Sequence, residues 1–444
     1  MNEAFCPDRE NRRVVLVGGS VRAAAQDAKL GGFEVVGVDR FGDWDLRQAC
    51  QEWIVYDSGD EWFRAALANR PSCIVPVGGF QWPMALTEAT DDYAAASSER
   101  VAYPRLSELQ RLNSPTWLAQ TAADVGIRFP ETRAWEKGKW VTLAGTRGSD
   151  RWLWKPKEHA GGLDISFVGD GRPAREGFYL QNWLRGKSLG ANFIAFRSPS
   201  GVKAKLLGVF GGLTHRRHPV HRFVYGGSYG PLGLPLHTLE SLRALGQVIA
   251  EKLPMVGLFN IDALEERDGG LALLEVNPRY SASMELLAAN TGKPETLSSH
   301  AKEMPPARTW HDSLIGWHIA AHEGRSDLES LVNDWLEMRS RCKALRYACK
   351  RIVYIDHVVD RNAAHASLMR LSKSLQETKS AEPPAAESKQ VRLCDLPYQS
   401  MDITSGGPLC SVIVSGSETI LSSLRESHEW AMRVRKTVNN RRSL

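Results

Sequence analysis

Residues 259–286 carry the clearest alternation of apolar and polar positions in the chain. Phe259, Ile261 and Ala263 alternate with Asn260 and Asp262 ahead of Asp268-Gly269, and Leu274 and Val276 alternate with Glu275 and Asn277 after it. A period of two predicts strands with one buried face, and Asp-Gly suits a two-residue type I′ turn because both residues tolerate positive φ. With Arg267 opposite Gly270, Asp262 falls opposite Glu275 and Asn260 opposite Asn277. Four oxygen-bearing side chains then share one face of a hairpin.

Elsewhere the pattern is shorter in range. Residues 13–18 (RVVLVG) form a β-branched run entering Gly-Gly-Ser, residues 21–30 read as a helix, and residues 33–39 as a second strand. Strand, helix and strand of these lengths predict a right-handed βαβ unit with a parallel sheet, whose ligands belong at the strands' carboxyl ends. Residues 73–79 repeat the strand-then-glycine pattern. Residues 104–134 turn mainly helical, while 152–156, 178–184 and 192–196 read as short strands between glycine-bearing loops. Helices are expected over 236–253 and 281–289. Residues 376–389 lack apolar periodicity and read as a solvated linker. Beyond them, strands return around 410–414 and a helix near 421–438.

Composition narrows the class. A chain of 444 residues, 43% hydrophobic and 24% charged, is long enough for two or three packed domains and is neither disordered nor fibrous in character. A net charge of +5 spread over this length calls for no nucleic-acid partner. The basic run 214–222 (THRRHPVHR) is the local exception. Pro219 breaks any helix that would align His215, His218 and His221 on a metal, so a loop facing an anion, or one simply solvated, is the better reading. Seven cysteines without CxxC spacing point to reduced structural thiols. No leader and no apolar run of about 20 residues is present, so the cytoplasm is the expected location, with no membrane partner.

Asp262 and Glu275, with Cβ atoms about 5 Å apart on facing strands, should repel. A cation between them reverses the sign. Hard oxygen ligands from Asp262, Glu275 and Asn277 suit Mg²⁺, which commonly shares its shell with water and nucleotide phosphates. Arg279, two residues beyond Asn277, sets a fixed positive charge beside those phosphates, as phosphoryl transfer needs. The bland alternative is a solvated acidic hairpin.

The run Glu275–Arg279 (EVNPR), with Asp262 on the preceding strand, resembles the ATP-grasp superfamily, and the likeness extends over residues 12–290. It implies a fold of mixed α/β and α+β class. An N-terminal Rossmann-like (pre-ATP-grasp) domain over 1–103 would precede an ATP-grasp domain over 104–300, with a lid near 150–190. A C-terminal α+β extension over 301–444 would contain a flexible segment near 375–390. It also implies a ligase that uses ATP and one or two Mg²⁺ ions, with Mn²⁺ as a substitute, to turn a carboxylate into an acyl phosphate and join it to an amine. Lys155 in WKPK matches the strand lysine on the nucleotide phosphates, with Lys157 beside it. Gly161 and Gly162 match the glycine loop that closes over them. Gln181, Asn182, Trp183 and Leu184 match the hinge whose backbone holds adenine. Where the superfamily commonly has a ribose-binding acid, this chain has Lys187 and Ser188. Arg279 and Lys155 are thus the expected catalytic charges. Ser20, Arg22, Ser281 and Ser283 are the expected substrate contacts.

Narrower stretches, including GGSVRAA at 18–24, YGGSYGP at 225–231 and LCDLPYQSMDITSGGP at 393–408, resemble a branch associated with tetrahydromethanopterin and methanofuran-type one-carbon cofactors and related to tyramine or tyrosine glutamate ligases. Small-molecule carboxylate and amine partners are expected, glutamate among them, with a homodimer left open. Three other readings compete. A carboxylase acting through carboxyphosphate and a nucleotide-binding regulator without turnover both fit the same site. Gly18-Gly19-Ser20 with Asp39 suggests a dinucleotide fingerprint, although the spacing is not GxGxxG. Trp44, Trp82, Trp135, Trp152 and Trp183 are expected in cores or clefts, and Asp164 near the nucleotide loop or on a surface turn.

Overall fold

The computed structural model of the chain describes residues 12–56, 73–78, 100–157, 161–170, 177–215, 222–290, 309–341, 346–380, 389–398 and 402–439. Three sheets organise them. The first is all parallel: β1 (Arg13–Gly18), β2 (Glu34–Asp39), β3 (Glu52–Val55), β4 (Cys73–Pro76) and β5 (Arg100–Val101), in the order β3-β2-β1-β4-β5. Strand β1 lacks alternation because both its faces are covered. Val14 and Leu16 enter one core, Val15 and Val17 another. The strand order reverses between β1 and β4, where ligands of open α/β sheets commonly bind. There Gly19 N–H donates to Gly78 O at 3.2 Å, and a Cβ on Gly18 would lie 2.6 Å from Val77 Cγ2.

The second sheet is antiparallel, with β6 (Thr132–Glu136), β7 (Lys139–Ala144), β8 (Trp152–Pro156), β9 (Ser166–Phe167) and β10 (Phe178–Asn182) in the order β7-β6-β10-β8-β9. Trp135 does not enter a core. It is 49% exposed at the sheet surface, edge-on to Trp140. Trp82 lies outside the described residues.

Eight strands make the third sheet: β11 (Gly186–Ser198), β12 (Gly201–Thr214), β13 (Tyr225–Gly230), β14 (Gly257–Glu266), β15 (Leu271–Asn277), β16 (Tyr347–Tyr354), β17 (Gln390–Cys394) and β18 (Pro408–Ser417). Their order is β15-β14-β11-β12-β13-β16-β18-β17. Strand β11 is far longer than the short strand expected at 192–196, and β12 was not expected at all. Glycines and lysines dilute the apolar pattern of GVKAKLLGVFGGLT, and pairing with β11 and β13 sustains the strand instead. Strands β16 to β18 continue this sheet beyond β13, so the C-terminal segment extends the hairpin's own sheet. The helix Arg361–Ser380 also runs into the stretch read as a linker. Residues 381–388 are outside the described set.

Two departures from the expected hairpin cancel. The turn is a three-residue loop closed by Glu266 N–H donating to Gly270 O at 2.8 Å, with Gly269 at φ +84°. It pairs Glu265 with Leu271 and Ala263 with Leu273, one residue off the expected register. A bulge between Asp262 and Ala263 then restores it, so that Asp262 faces Glu275 and Asn260 faces Asn277. The bulge makes Leu273, not Leu274, the core residue. Leu273 is fully buried with Phe259, Ile261 and Val276 beneath the helices Pro115–Ala123 and Leu236–Lys252, and Phe259 stacks on Phe193 at 4.9 Å. No helix among the described residues is long and apolar enough to cross a membrane.

This placement is testable by denaturant unfolding. Leu273→Ala is expected to cost about 2–5 kcal/mol through lost burial and a cavity. Leu274→Ala should cost less than half as much, and the reverse ranking would remove the bulge.

Candidate active site

The hairpin's polar face carries the pair of opposed carboxylates. Asn277 Nδ2 donates to Asp262 Oδ2 at 3.0 Å and to Glu275 Oε1 at 3.1 Å, and Asn260 Nδ2 donates to Asp262 Oδ1 at 2.8 Å. Enclosure and the neighbouring Glu275 charge push the Asp262 carboxyl up to about 8. Glu275 moves the other way. Lys155, hydrogen bonds from Asp262 and Asn277, and Arg279 hold it below its ordinary value, against the pull of the surrounding protein. The pair behaves as two acids with room for one negative charge, which is the imbalance a divalent cation corrects. The donor set therefore fits Mg²⁺ in two of its three members. Asn277 differs from expectation: its amide nitrogen faces the carboxylates, and its oxygen accepts from Arg279 Nη2 at 2.9 Å. The two carboxyls thus take both hydrogens of the Asn277 amide, whose oxygen would serve as a ligand only with the amide turned over.

Lys155 reaches this pair from the second sheet. It is buried at its strand position opposite Tyr179, and its Nζ donates to Gln181 Oε1 at 3.2 Å. Burial opposes its charge, but Tyr179 and Glu275 outweigh burial and raise it above the ordinary lysine value. Lys157 is exposed at the strand end, its N–H donating to Gly177 O at 2.8 Å. Gly161 and Gly162 both have left-handed backbones, φ +72° and +75°. Gly161 O accepts from Tyr225 N–H at 2.8 Å, and a Cβ on Gly162 would lie 2.0 Å from Phe223 O. The glycine loop is thus fastened to the start of β13. Asp164 also has a left-handed backbone, φ +59°.

In the hinge, Gln181 Nε2 donates to Thr132 Oγ1 at 3.2 Å, so its side chain is spoken for. Asn182 is committed as well: its Oδ1 accepts from Gly148 and Ser149 N–H, and its Nδ2 donates to Ser149 and Arg151 O. Trp183 N–H donates to Arg151 O and its carbonyl accepts from Ser149 Oγ. Leu184 N–H donates to no protein group among the described residues, which leaves it as a hinge donor open to a ligand. Ser188 is exposed on β11, while neighbouring Lys187 pairs with Glu265 at 3.3 Å on the strand alongside.

The first sheet meets the hairpin where Val77 bridges Tyr280 and where Gly78 lies against the Arg279 guanidinium. Ser20 is exposed at the end of β1. Arg22, expected at a substrate, is instead fully buried in an ion network. It pairs with both carboxylate oxygens of Glu285, and its Nε donates to Asp395 Oδ1 at 2.8 Å with Asp45 Oδ2 3.4 Å away. Lys350 completes the network, 2.7 Å from Glu285 Oε2 and 3.8 Å from Asp395 Oδ2. Burial opposes Glu285's charge, but Arg22 and Lys350 bring its carboxyl down to about 2. Sequence reasoning missed Glu285, Lys350, Asp45 and Asp395. Their signals were the nearness of Glu285 to the EVNPR run and the place of Asp395 within the stretch 393–408, neither of which assigns a partner.

Asp39, the candidate dinucleotide acid, is occupied too. Its oxygens accept from Val21, Phe41 and Gly42 N–H, so it braces its own loop. His215 stacks on Tyr354 at 4.9 Å, while His218 and His221 lie outside the described residues. Ser281 and Ser283 come together below the hairpin, each donating to the buried Asn192 Oδ1, at 2.9 and 3.1 Å. Asn192 Nδ2 and Asn260 Oδ1 are buried with no hydrogen-bond partner among the described residues.

Residues 118–283 match the family model of the ATP-grasp domain. No curated protein sequence matches the chain. Solved structures do. The ADP complex of an N5-carboxyaminoimidazole ribonucleotide synthetase is similar over 97% of this chain and 98% of its own, at 14% identity and a TM-score of 0.57. The Thermotoga maritima synthetase of the same name is similar over 95% and 98%, at 13% identity and 0.54. Biotin carboxylase from Campylobacter jejuni, solved with β,γ-ATP, is similar over 94% and 90%, at 12% identity and 0.59. At such identities the likeness is one of fold. The fold is a Rossmann-like parallel sheet followed by a region whose residues 118–283 match the ATP-grasp domain model.

The ion network makes a stability prediction. Glu285→Gln should cost about 3–5 kcal/mol at pH 7, because Arg22 and Lys350 lose a buried partner. Glu285 is depressed on folding, so its contribution is complete above its ordinary value of 4.5 and lost as pH falls toward about 2. Chemical denaturation from pH 7 to pH 3 should show the two proteins converging below pH 4.5.

Proposed function

We propose that the protein is an ATP-dependent carboxylate–amine ligase. The carboxylate oxygen of one substrate attacks the γ-phosphorus of ATP, the bond to the bridging oxygen breaks, and ADP leaves. The amine nitrogen of the second substrate then attacks the acyl carbon, the bond to phosphate oxygen breaks, and phosphate leaves as the amine gives up a proton. The observation that carries this reading is the opposed Asp262 and Glu275, with Lys155 from one sheet and Arg279 from the loop beyond β15 both acting on them.

Asp262 and Glu275, with Asn277 once its amide is turned, would hold one or two Mg²⁺ ions, for which Mn²⁺ would substitute. Such ions supply charge neutralisation for the β- and γ-phosphates. Lys155 and Arg279 contribute fixed positive charge where the phosphoryl group moves, at no cost of reorganisation. The Gly161 loop excludes water that would hydrolyse the acyl phosphate. Leu184 N–H is the hinge donor open to adenine. Ser20, exposed where the first sheet meets Arg279, lies on the side where an acceptor carboxylate would enter.

For substrates we favour glutamate as donor or acceptor, joined to an aromatic amine or to a growing one-carbon-carrier precursor of the methanofuran kind. This rests on the sequence resemblance. The cytoplasm is the setting that suits such chemistry.

ADP release should be measured with Mg-ATP, glutamate and aromatic amines, beside a bicarbonate arm without glutamate. Amine-dependent ADP release is expected, with Glu275→Gln slowed by about 10²-fold or more while circular dichroism stays unchanged. Equal rates in both proteins would remove the role assigned to Glu275. A carboxylated product from the bicarbonate arm would move the reading to a carboxylase.

A further inference from the structure

Two lysines are buried among the described residues, Lys155 and Lys350, at 9% and 6% exposure. Lys350 meets burial in the ordinary way, with carboxylate oxygens of Glu285 and Asp395 at 2.7 and 3.8 Å. Lys155 does not. No carboxylate is in ion-pair contact with it among the described residues, and Glu275 and Asp262 act on its charge only from beyond that distance. Its direct partners are neutral: Gln181 Oε1 at 3.2 Å, and the Tyr179 ring with its centroid 5.8 Å from Nζ. An ammonium buried without an opposite charge in contact is costly, and an arriving anion relieves that cost.

Gln181 sits on the middle strand of three. It faces Thr132 on β6 and Leu153 on β8, and Lys155, two residues beyond Leu153, lies diagonally across the same face. The orientation of its amide is fixed from both ends. An ammonium has no lone pair with which to accept, so it takes the amide oxygen. Thr132 Oγ1 donates its one proton to Pro130 O at 3.0 Å and is left to accept from Gln181 Nε2 at 3.2 Å. Pro130 O, Thr132, Gln181 and Lys155 thus form one directed chain of hydrogen bonds, buried along its length and ending at the ammonium.

We propose that Gln181, with its amide held by Thr132, is the positioning residue that aims the Lys155 ammonium at the nucleotide phosphates and leaves its charge unspent. The proposal rests on the ligase reading, which puts the phosphates beside Lys155, and gives a task to the side chain of a hinge residue. A glutamate at this position would hold the lysine equally well, but it would pair with it and repel the phosphates.

The test measures binding of Mg-ATP and of adenosine to the full chain by isothermal titration calorimetry. Gln181→Glu should weaken Mg-ATP by about tenfold or more and adenosine by less than about twofold. Gln181→Met and Thr132→Val remove the acceptor and its brace without adding charge, and should weaken Mg-ATP several-fold while sparing adenosine. These two carry the test where Gln181→Glu does not fold, and adenosine binding shows that each variant is folded. In a Lys155→Met background, Gln181→Met should cost nothing further, because the group it positions is gone. Parallel losses of Mg-ATP and adenosine overturn the proposal, since Gln181 would then act on the base or on the fold. So does full Mg-ATP affinity in the Gln181 variants, or an undiminished effect of Gln181→Met in the absence of Lys155.

The ligation assay separates the two readings. Amine-dependent ADP release with an unaltered KM for ATP in the Gln181 variants sinks the positioning role and leaves the ligase. Mg-ATP binding that follows the expected pattern, in a protein that releases no ADP with any amine, keeps the positioning role and sinks the ligase.

Discussion

Two like charges forced to face each other across a hairpin set the terms for the rest of this molecule. Burial and the neighbouring Glu275 charge raise the Asp262 carboxyl, so the facing pair carries one negative charge in place of two. The hairpin tolerates the pair because the opposite face buries Phe259, Ile261, Leu273 and Val276 under two helices. Every group near the pair then works to balance it. Amide nitrogens of Asn260 and Asn277 turn inward, and cationic charge arrives from Lys155 and Arg279 on separate elements.

Around that pair the structure separates binding from bracing. Arg22 and Lys350 are saturated by Glu285 and Asp395 and cannot serve a substrate without losing those partners. They tie three parts of the chain together instead. Asp45 belongs to this junction through its carboxylate, which accepts from the N–H groups of Asp395 and Leu396 at 2.8 and 2.9 Å. Arg279 is the guanidinium left beside the carboxylates.

Much of the fold was legible where local pattern and pairing agree. The βαβ start, the helices and the face shared by Asp262, Glu275 and Asn277 follow from periodicity. The turn and the bulge did not, because each adds one residue without disturbing the alternation near the carboxylates, and their effects offset. Strand β12 was hidden because its stability comes from neighbours on both sides, a non-local property that glycine-rich composition obscures. The site was legible as a set of side chains but not as a set of orientations. Nothing in the letters says that Asn277 faces inward with nitrogen, that Asn182 is spent on the 148–151 loop, or that Arg22 is enclosed rather than open.

The threading of the third sheet has a consequence for biosynthesis. Strand β13 ends at Gly230, yet the strand that covers its free edge begins only at Tyr347. Arg22 waits longer still, since its partners Glu285 and Asp395 follow it by 263 and 373 residues. A nascent chain therefore leaves the ribosome with an uncovered edge and an uncompensated guanidinium, and cannot close either until most of it has been made. Late, long-range closure of this kind favours slow maturation and a need for chaperone shelter during translation.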